Sequence, residues 1–131
     1  MEHIIDHMGL SVTDIARSKA FYAAALAPLG IKQLMDFGMA VGFGKGRKPE
    51  LWLGQGPASY QKPEHLAPIT PVHVCLAAAT RDEVDAFHAA ALAAGGRDFG
   101  KPGLRPEYHA TYYGAFVLDP DGHNIEACVH G

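Results

Sequence analysis

Two cysteines, a single tryptophan and no long apolar stretch are the scarcities of this 131-residue chain. Cys75 and Cys128 are too few for the dense disulfide framework of small secreted domains, so both thiols are expected to be free in a reducing compartment. No apolar run reaches the ~18 residues that a membrane-crossing helix needs. The opening Met1-Glu2-His3-Ile4-Ile5 has neither a positive leader nor a small-residue cleavage site, which makes a soluble cytoplasmic protein the expectation. A basic surplus is also lacking: 11 Lys and Arg against 14 Asp and Glu give a net charge of −3, and the basic residues are scattered. Nucleic acid is therefore not an expected partner. What the chain does have is 48% hydrophobic and 19% charged residues, the balance of one compact domain with a real core.

Ile4 to Val12 alternates as a strand, with Met8, Leu10 and Val12 on one face and His7, Gly9 and Ser11 on the other. A helix from about Ile15 to Ala27 follows, with Phe21, Tyr22, Ala25 and Leu26 in its apolar stripe and Pro28 and Gly30 ending it. Three short strands are expected next, at Lys32 to Phe37, Met39 to Phe43 and Glu50 to Gly54. Gln55 to Pro68, broken by Pro57, Pro63 and Pro68, reads as a connection.

The second half repeats this order. Pro71 to Ala77 is a strand with Val72, Val74 and Leu76 on one face and His73, Cys75 and Ala77 on the other. Thr80-Arg81-Asp82-Glu83 is a capping box opening a helix that closes at Gly95-Gly96. A short strand near Phe99, a loop of Gly, Pro and Arg, and strands at Tyr112 to Leu118 and Asn124 to His130 complete it, the last two joined by the turn Asp119-Pro120-Asp121-Gly122. His7-x-x-Leu10 and His73-x-x-Leu76 begin their strands alike, 73 − 7 = 66 residues apart. The economical reading is an internal duplication: an α+β domain of two tandem βαβββ units, about 1–58 and 69–131, forming a cupped mixed sheet.

Duplication changes the weight of the histidines. A lone strand histidine is ordinarily a surface or hydrogen-bonded residue, but His7 and His73 occupy equivalent positions, both opposite the helix-packing face. On the final strand Ile125, Ala127 and Val129 face the core, leaving Glu126, Cys128 and His130 on the cleft side. Two imidazoles and a carboxylate suit Mn, Fe, Ni or Zn, and three protein ligands leave positions open for water or substrate. Such an ion can act as a Lewis acid toward two substrate oxygens.

Trp52 stands where the first unit's counterpart of Glu126 belongs, and reads either as a pocket wall or as an aromatic filling the place of a missing ligand. Glu50 shares its face at the strand entrance. The segment from Arg105 to Tyr113 is rich in ionisable and aromatic groups for a mere connection and reads as a lid. Within it His109 and Tyr113 are candidates for proton transfer, alongside Glu126, while Tyr112 and Arg105 are candidates for lining the substrate pocket with Trp52. A tyrosine-rich subunit contact is the alternative for this loop.

The motifs His7-x-x-Leu10-x-Val12-x-Asp14-x-x-x-Ser18-x-x-Phe21-Tyr22 and Phe116-Val117-Leu118-Asp119-Pro120-Asp121-Gly122-His123-Asn124-Ile125-Glu126 resemble those of the vicinal oxygen chelate superfamily. This superfamily includes glyoxalase I, fosfomycin-resistance transferases, bleomycin-resistance proteins and extradiol dioxygenases. The resemblance covers essentially the whole chain. It implies paired βαβββ units, often completed in a dimer, with metal ligands carried onto His7, His73 and Glu126. Glyoxalase I has a fourth glutamate or glutamine ligand where this chain has Trp52. The fosfomycin transferases are similar in having a tryptophan within Leu-Trp-Leu, yet they carry a threonine where this chain has Gly9.

The expected function is therefore a metal-dependent lyase or isomerase of the glyoxalase-like group, acting as a homodimer on a small molecule with adjacent oxygens. A metal-free protein that sequesters an aromatic or cationic ligand between residues such as Trp52 and Tyr113 is one alternative. An Fe(II) ring-cleaving dioxygenase, in which His109 and Tyr113 would serve as acid and base, is the other.

Overall fold

A computed structural model describes residues 4–57, 61–62, 64 and 71–131. The first unit runs β1 (Met8–Val12), α1 (Ile15–Leu26), a 3₁₀ turn at Ala27–Leu29, β2 (Lys32–Asp36), β3 (Ala40–Gly44) and β4 (Leu51–Gln55). The second runs β5 (His73–Ala77), α2 (Arg81–Ala93), β6 (Arg97–Leu104), β7 (Tyr113–Leu118) and β8 (Asn124–Val129). Each unit makes its own four-stranded sheet, in the orders β1-β4-β3-β2 and β5-β8-β7-β6, so the architecture is α+β with two mixed sheets. Most of the proposed connection at Gln55 to Pro68 lies outside the described residues.

The helices begin where their caps dictate. The Asp14 side chain accepts from the Arg17 amide at 3.1 Å, and the Thr80 hydroxyl accepts from the Glu83 amide at 3.1 Å. Glu83 reaches back to the Ala79 amide at 2.9 Å, one residue earlier than the standard capping box. Pro28 is accommodated in the 3₁₀ turn, whose end is Gly30 in the left-handed region at φ 77°.

Each helix packs on its own sheet and on the other helix. Phe21, Tyr22 and Leu26 of α1 and Val84 and Phe87 of α2 are buried, and Leu10, Val12, Phe43, Leu53, Val117 and Ile125 meet them from the strands. Fully burying one such large apolar side chain stabilises the fold by about 1.5–3 kcal/mol before the cost of ordering it.

Two expectations need correcting. The first strand does not start at Ile4; Ile4 and Ile5 are exposed and β1 begins at Met8, because the register with β4 starts at Met8 opposite Leu51. The strand near Phe99 is not short, since β6 spans eight residues and includes Pro102 and Gly103. It is an edge strand with an irregular register, where a proline lacking an N–H is tolerated.

Candidate metal and substrate site

Alternation along the strands leaves one face of each sheet without a helix. On the second sheet that face carries His73 and Cys75 from β5 and Glu126 and Cys128 from β8, with Cys75 directly opposite Glu126 in the parallel ladder. On the first sheet the same register places Gly9 opposite Trp52. Trp52 is thus the topological counterpart of Glu126, and Gly9 that of Cys75.

Glu126 is 3% exposed, an unusually deep position for a carboxylate. Its ion-pair partner is His73. Its Oε2 accepts a short hydrogen bond from the Tyr112 hydroxyl, and its Oε1 lies 3.2 Å from His73 Nε2. Burial, followed by that bond to Glu126, pushes the Tyr112 hydroxyl pKa well up, so it stays a proton donor. Gly114 makes the arrangement possible: a Cβ there would stand 2.9 Å from Glu126 Oε2 and 3.2 Å from the Tyr112 ring.

The ring of His73 is oriented by its other nitrogen. Nδ1 lies 3.0 Å from the Asn124 carbonyl oxygen, which can only accept, so Nδ1 carries the proton. In the neutral imidazole Nε2 then carries a lone pair, and it lies 3.2 Å from a carboxylate oxygen. Two acceptors at 3.2 Å need a proton on one of them or a metal ion bound to both. A histidine that donates to a backbone carbonyl from one nitrogen and offers the other is the arrangement typical of metal ligands. The donor set therefore fits a divalent ion.

His7 shows a related arrangement in another place. Its Nδ1 is 2.7 Å from Asp6 Oδ1, and that carboxylate also accepts from Lys48 Nζ at 2.6 Å. These partners leave His7 Nε2 free of any hydrogen bond among the described residues. His7 opens onto a cleft of ≈ 500 Å³ on the helix-free face of the first sheet, together with Trp52, Phe37 and Met39. Phe37 stacks on Trp52 with ring centroids 6.0 Å apart and planes 8° apart. His7 does not join His73 and Glu126 within one chain; among the described residues the three-donor group is Cys75, Glu126 and Cys128. Glu50 lines a different cleft, of ≈ 390 Å³, between the edges of β1 and β5.

The loop residues separate into two sets. Tyr112 points to Glu126, whereas Tyr113 donates to Asp85 Oδ1 of α2 at 2.6 Å, with the Arg81 guanidinium 5.0 Å from its ring centroid. The strand's alternation is the reason: Gly114 faces Glu126, so Tyr113 faces the helix. His109 Nε2 lies 2.9 Å from His130 Nδ1, and the Thr111 hydroxyl donates to the His130 carbonyl at 2.6 Å. The Tyr112 ring packs edge-on against both His109 and His130. Arg105 donates to the Lys101 carbonyl at 2.6 Å and lies over Phe116, which itself stacks on His73. Alternation places Cys75, Cys128 and His130 on Glu126's side, yet no local pattern marks them or Phe116 as site residues; their contacts do.

A model of the Glyoxalase/Bleomycin resistance protein/Dioxygenase superfamily matches residues 4–127. The chain belongs to that superfamily. A solved glyoxalase/bleomycin resistance protein from Albidiferax ferrireducens T118 is 31% identical, with 96% of this chain and 98% of that one covered and a TM-score of 0.77. A glyoxalase/bleomycin resistance protein/dioxygenase family enzyme from Burkholderia phytofirmans PsJN, at 19% identity, covers 96% of this chain and 98% of its own with a TM-score of 0.73. A lactoylglutathione lyase from Agrobacterium tumefaciens shares the fold at 22% identity and a TM-score of 0.67, with 98% and 93% covered. No curated protein matches the chain.

The superfamily motifs prove to be joints between the units. His123 is buried; its Nε2 is 2.8 Å from the Ser11 carbonyl of β1, and its Nδ1 accepts from the Val72 amide at 3.1 Å. Asp121 accepts from the Thr13 hydroxyl at 2.6 Å and sits 3.6 Å from Arg17. Among the described residues no helix is long and apolar enough to cross a membrane.

Proposed function

We propose that this superfamily member is a metal-dependent lyase or isomerase of the glyoxalase-like group, acting on a small molecule with adjacent oxygens. The observation that carries the reading is the His73 Nε2 lying 3.2 Å from the buried Glu126 carboxylate with its Nδ1 proton committed to a backbone carbonyl. His73 and Glu126 supply two ligands of a divalent ion, Mn, Fe, Ni or Zn. His7 of the partner subunit supplies the third in a homodimer that brings the helix-free face of one chain's first sheet against that of the other's second sheet. Bound there, the ion supplies Lewis-acid stabilisation of negative charge on substrate oxygens.

The chain's own groups divide the remaining work. Tyr112 occupies Glu126 Oε2 and so leaves Oε1 as the ligating oxygen. His109 Nδ1 accepts from the Thr111 amide at 3.2 Å, so its Nε2–H donates to His130 Nδ1 at 2.9 Å beside Tyr112, which makes His109 the acid–base group of choice. Trp52 and Arg105 bound the substrate space. Tyr113 has no part in this reading, because its hydroxyl is committed to Asp85.

The test is elemental analysis of protein purified without chelator, with His73→Ala and Glu126→Ala beside it. After loading with Mn²⁺, near-stoichiometric metal that is lost in both variants is expected. Protein that stays metal-free after incubation with each ion sinks the reading. It would leave a ligand-sequestering protein, which the stacked Phe37 and Trp52 in their ≈ 500 Å³ cleft favour as the second reading. Oxygen uptake with a catechol by the Fe(II) form would instead move the reaction to ring cleavage.

A further inference from the structure

Cys75 and Cys128 sit on neighbouring parallel strands with their sulfurs 3.3 Å apart. Their Sγ atoms and a Glu126 carboxylate oxygen all lie within 4.8 Å of one another. Nothing in the reading of the site given above uses the thiols. Three potential ligand atoms, two sulfurs and a carboxylate oxygen, thus converge on one point. They form a good cluster around a borderline-soft ion. Tetrahedral zinc with Zn–S bonds of about 2.3 Å spaces its two sulfurs by about 3.8 Å. The pair needs to open by about half an ångström to take the ion.

We propose that Cys75, Cys128 and Glu126 form a thiolate-containing metal site for Zn²⁺ or a similar borderline-soft ion. The ion binds both sulfurs and one carboxylate oxygen and leaves its fourth position toward the His73 side. Binding converts two thiols to thiolates, so two protons are released for each ion taken up, with no change of oxidation state. The site shares Glu126 with the proposed enzymatic centre but requires neither His7 nor a second subunit, and it stands if the lyase reading falls. It also assigns different metals to different donors: thiolates select zinc, whereas imidazole and carboxylate also accept Mn and Fe.

The experiment is titration of the fully reduced full-length protein with Co²⁺ as a spectroscopic stand-in for Zn²⁺, followed by Zn²⁺ competition. Wild type, Cys75→Ser, Cys128→Ser and His7→Ala are compared, with circular dichroism confirming that each is folded. A sulfur-to-cobalt charge-transfer band should develop in the wild type. It should persist in His7→Ala, weaken in each serine variant, and accompany the release of two protons per ion. Each serine variant should lose at least about a hundredfold in Zn²⁺ affinity, the upper end of what losing even an outer-shell partner costs. Cobalt bound without a sulfur band, or a band unchanged in both serine variants, overturns the thiolate site while leaving the His73 and Glu126 reading standing. A band lost in His7→Ala overturns its independence from the second subunit. No cobalt uptake by any form overturns both.

Discussion

The Tyr22 hydroxyl of α1 donates to Asp119 Oδ2 in the turn between β7 and β8 at 2.7 Å, joining the two units through a bond buried on both sides. Asp119 Oδ1 meanwhile accepts from the amides of Asp121 and His123 at 2.9 and 2.8 Å. The carboxylate is therefore satisfied three times without a cation. It also holds the turn from which His123 and Asp121 reach the first unit.

Tyr22→Phe should cost about 1–3 kcal/mol, since it leaves one lone pair of a buried carboxylate unmatched while keeping the ring's packing. Burial and the Asp119 charge raise the Tyr22 pKa far above its ordinary value of 10.0. The folded state thus binds this proton more tightly than the unfolded chain does. Its contribution is complete below about pH 10 and declines above it, and the variant should lack that alkaline decline. Urea unfolding at neutral and alkaline pH measures both effects; equal stability of variant and wild type would show that the bond is not a joint.

If the metal ligands come from two chains, His7→Ala and His73→Ala homodimers each lack every complete site. A heterodimer of the two keeps one site whole and destroys the other. Co-expressed, separated by tags and loaded with Mn²⁺, which thiolates do not select, it should bind about one ion per dimer where each parent homodimer binds almost none. A metal-free heterodimer would place all three ligands in one chain or none.

Tyr112→Phe should lower metal affinity by about 10–100-fold without removing a ligand, because Glu126 loses the donor that fixes its orientation. Competition with a chromogenic chelator gives the affinity. An unchanged value would make Tyr112 a packing residue.

Gly114→Ala tests the same carboxylate from behind. The added Cβ stands 2.9 Å from Glu126 Oε2, so the carboxylate must move, and the backbone there needs no positive φ. The variant should unfold near the wild-type temperature yet bind metal markedly more weakly. Equal loss of stability and metal would instead point to a general disruption of the β7 and β8 pairing.

Burial first, and then the hydrogen bond with Cys128 and the charge of Glu126, raise the Cys75 thiol pKa well above its usual value. Alkylation by iodoacetamide at mildly alkaline pH should accordingly be slower in the metal-free native protein than in the urea-unfolded chain. Glu126→Gln should recover part of the difference. Native alkylation at the unfolded rate would mean that the thiol faces water, in keeping with the overall exposure of the residue.

The period-two rule reads strand faces from local sequence, because successive side chains of a strand must point to opposite sides of the sheet. For that reason His73, Cys75, Glu126 and Cys128 were assignable to one face and Trp52 to the place of Glu126 in the first unit, whereas the pairing of Trp52 with Gly9 and of Glu126 with Cys75 is set by the parallel ladders. The same rule applied at the start of β7 separates Tyr112 from Tyr113, but only once the strand's first residue is known, and that boundary is set by hydrogen bonds to Val129 and Leu104. The length of β6 escaped for a related reason: its Pro102 and Gly103 speak for a loop locally, and edge pairing overrides them.

By itself the sequence determined the two units, their helices and caps, and which side chains share a helix-free face, since all of these are consequences of short-range geometry and of the order of apolar residues. The tertiary structure decided how the units lie against each other: that Asp119, Asp121 and His123 tie one to the other, that the sulfurs of Cys75 and Cys128 meet beside Glu126, and that His7 stands apart from His73 within a single chain. Those contacts join residues far apart along the chain. They are fixed by the packing of one buried surface on another, for which no local pattern is a guide.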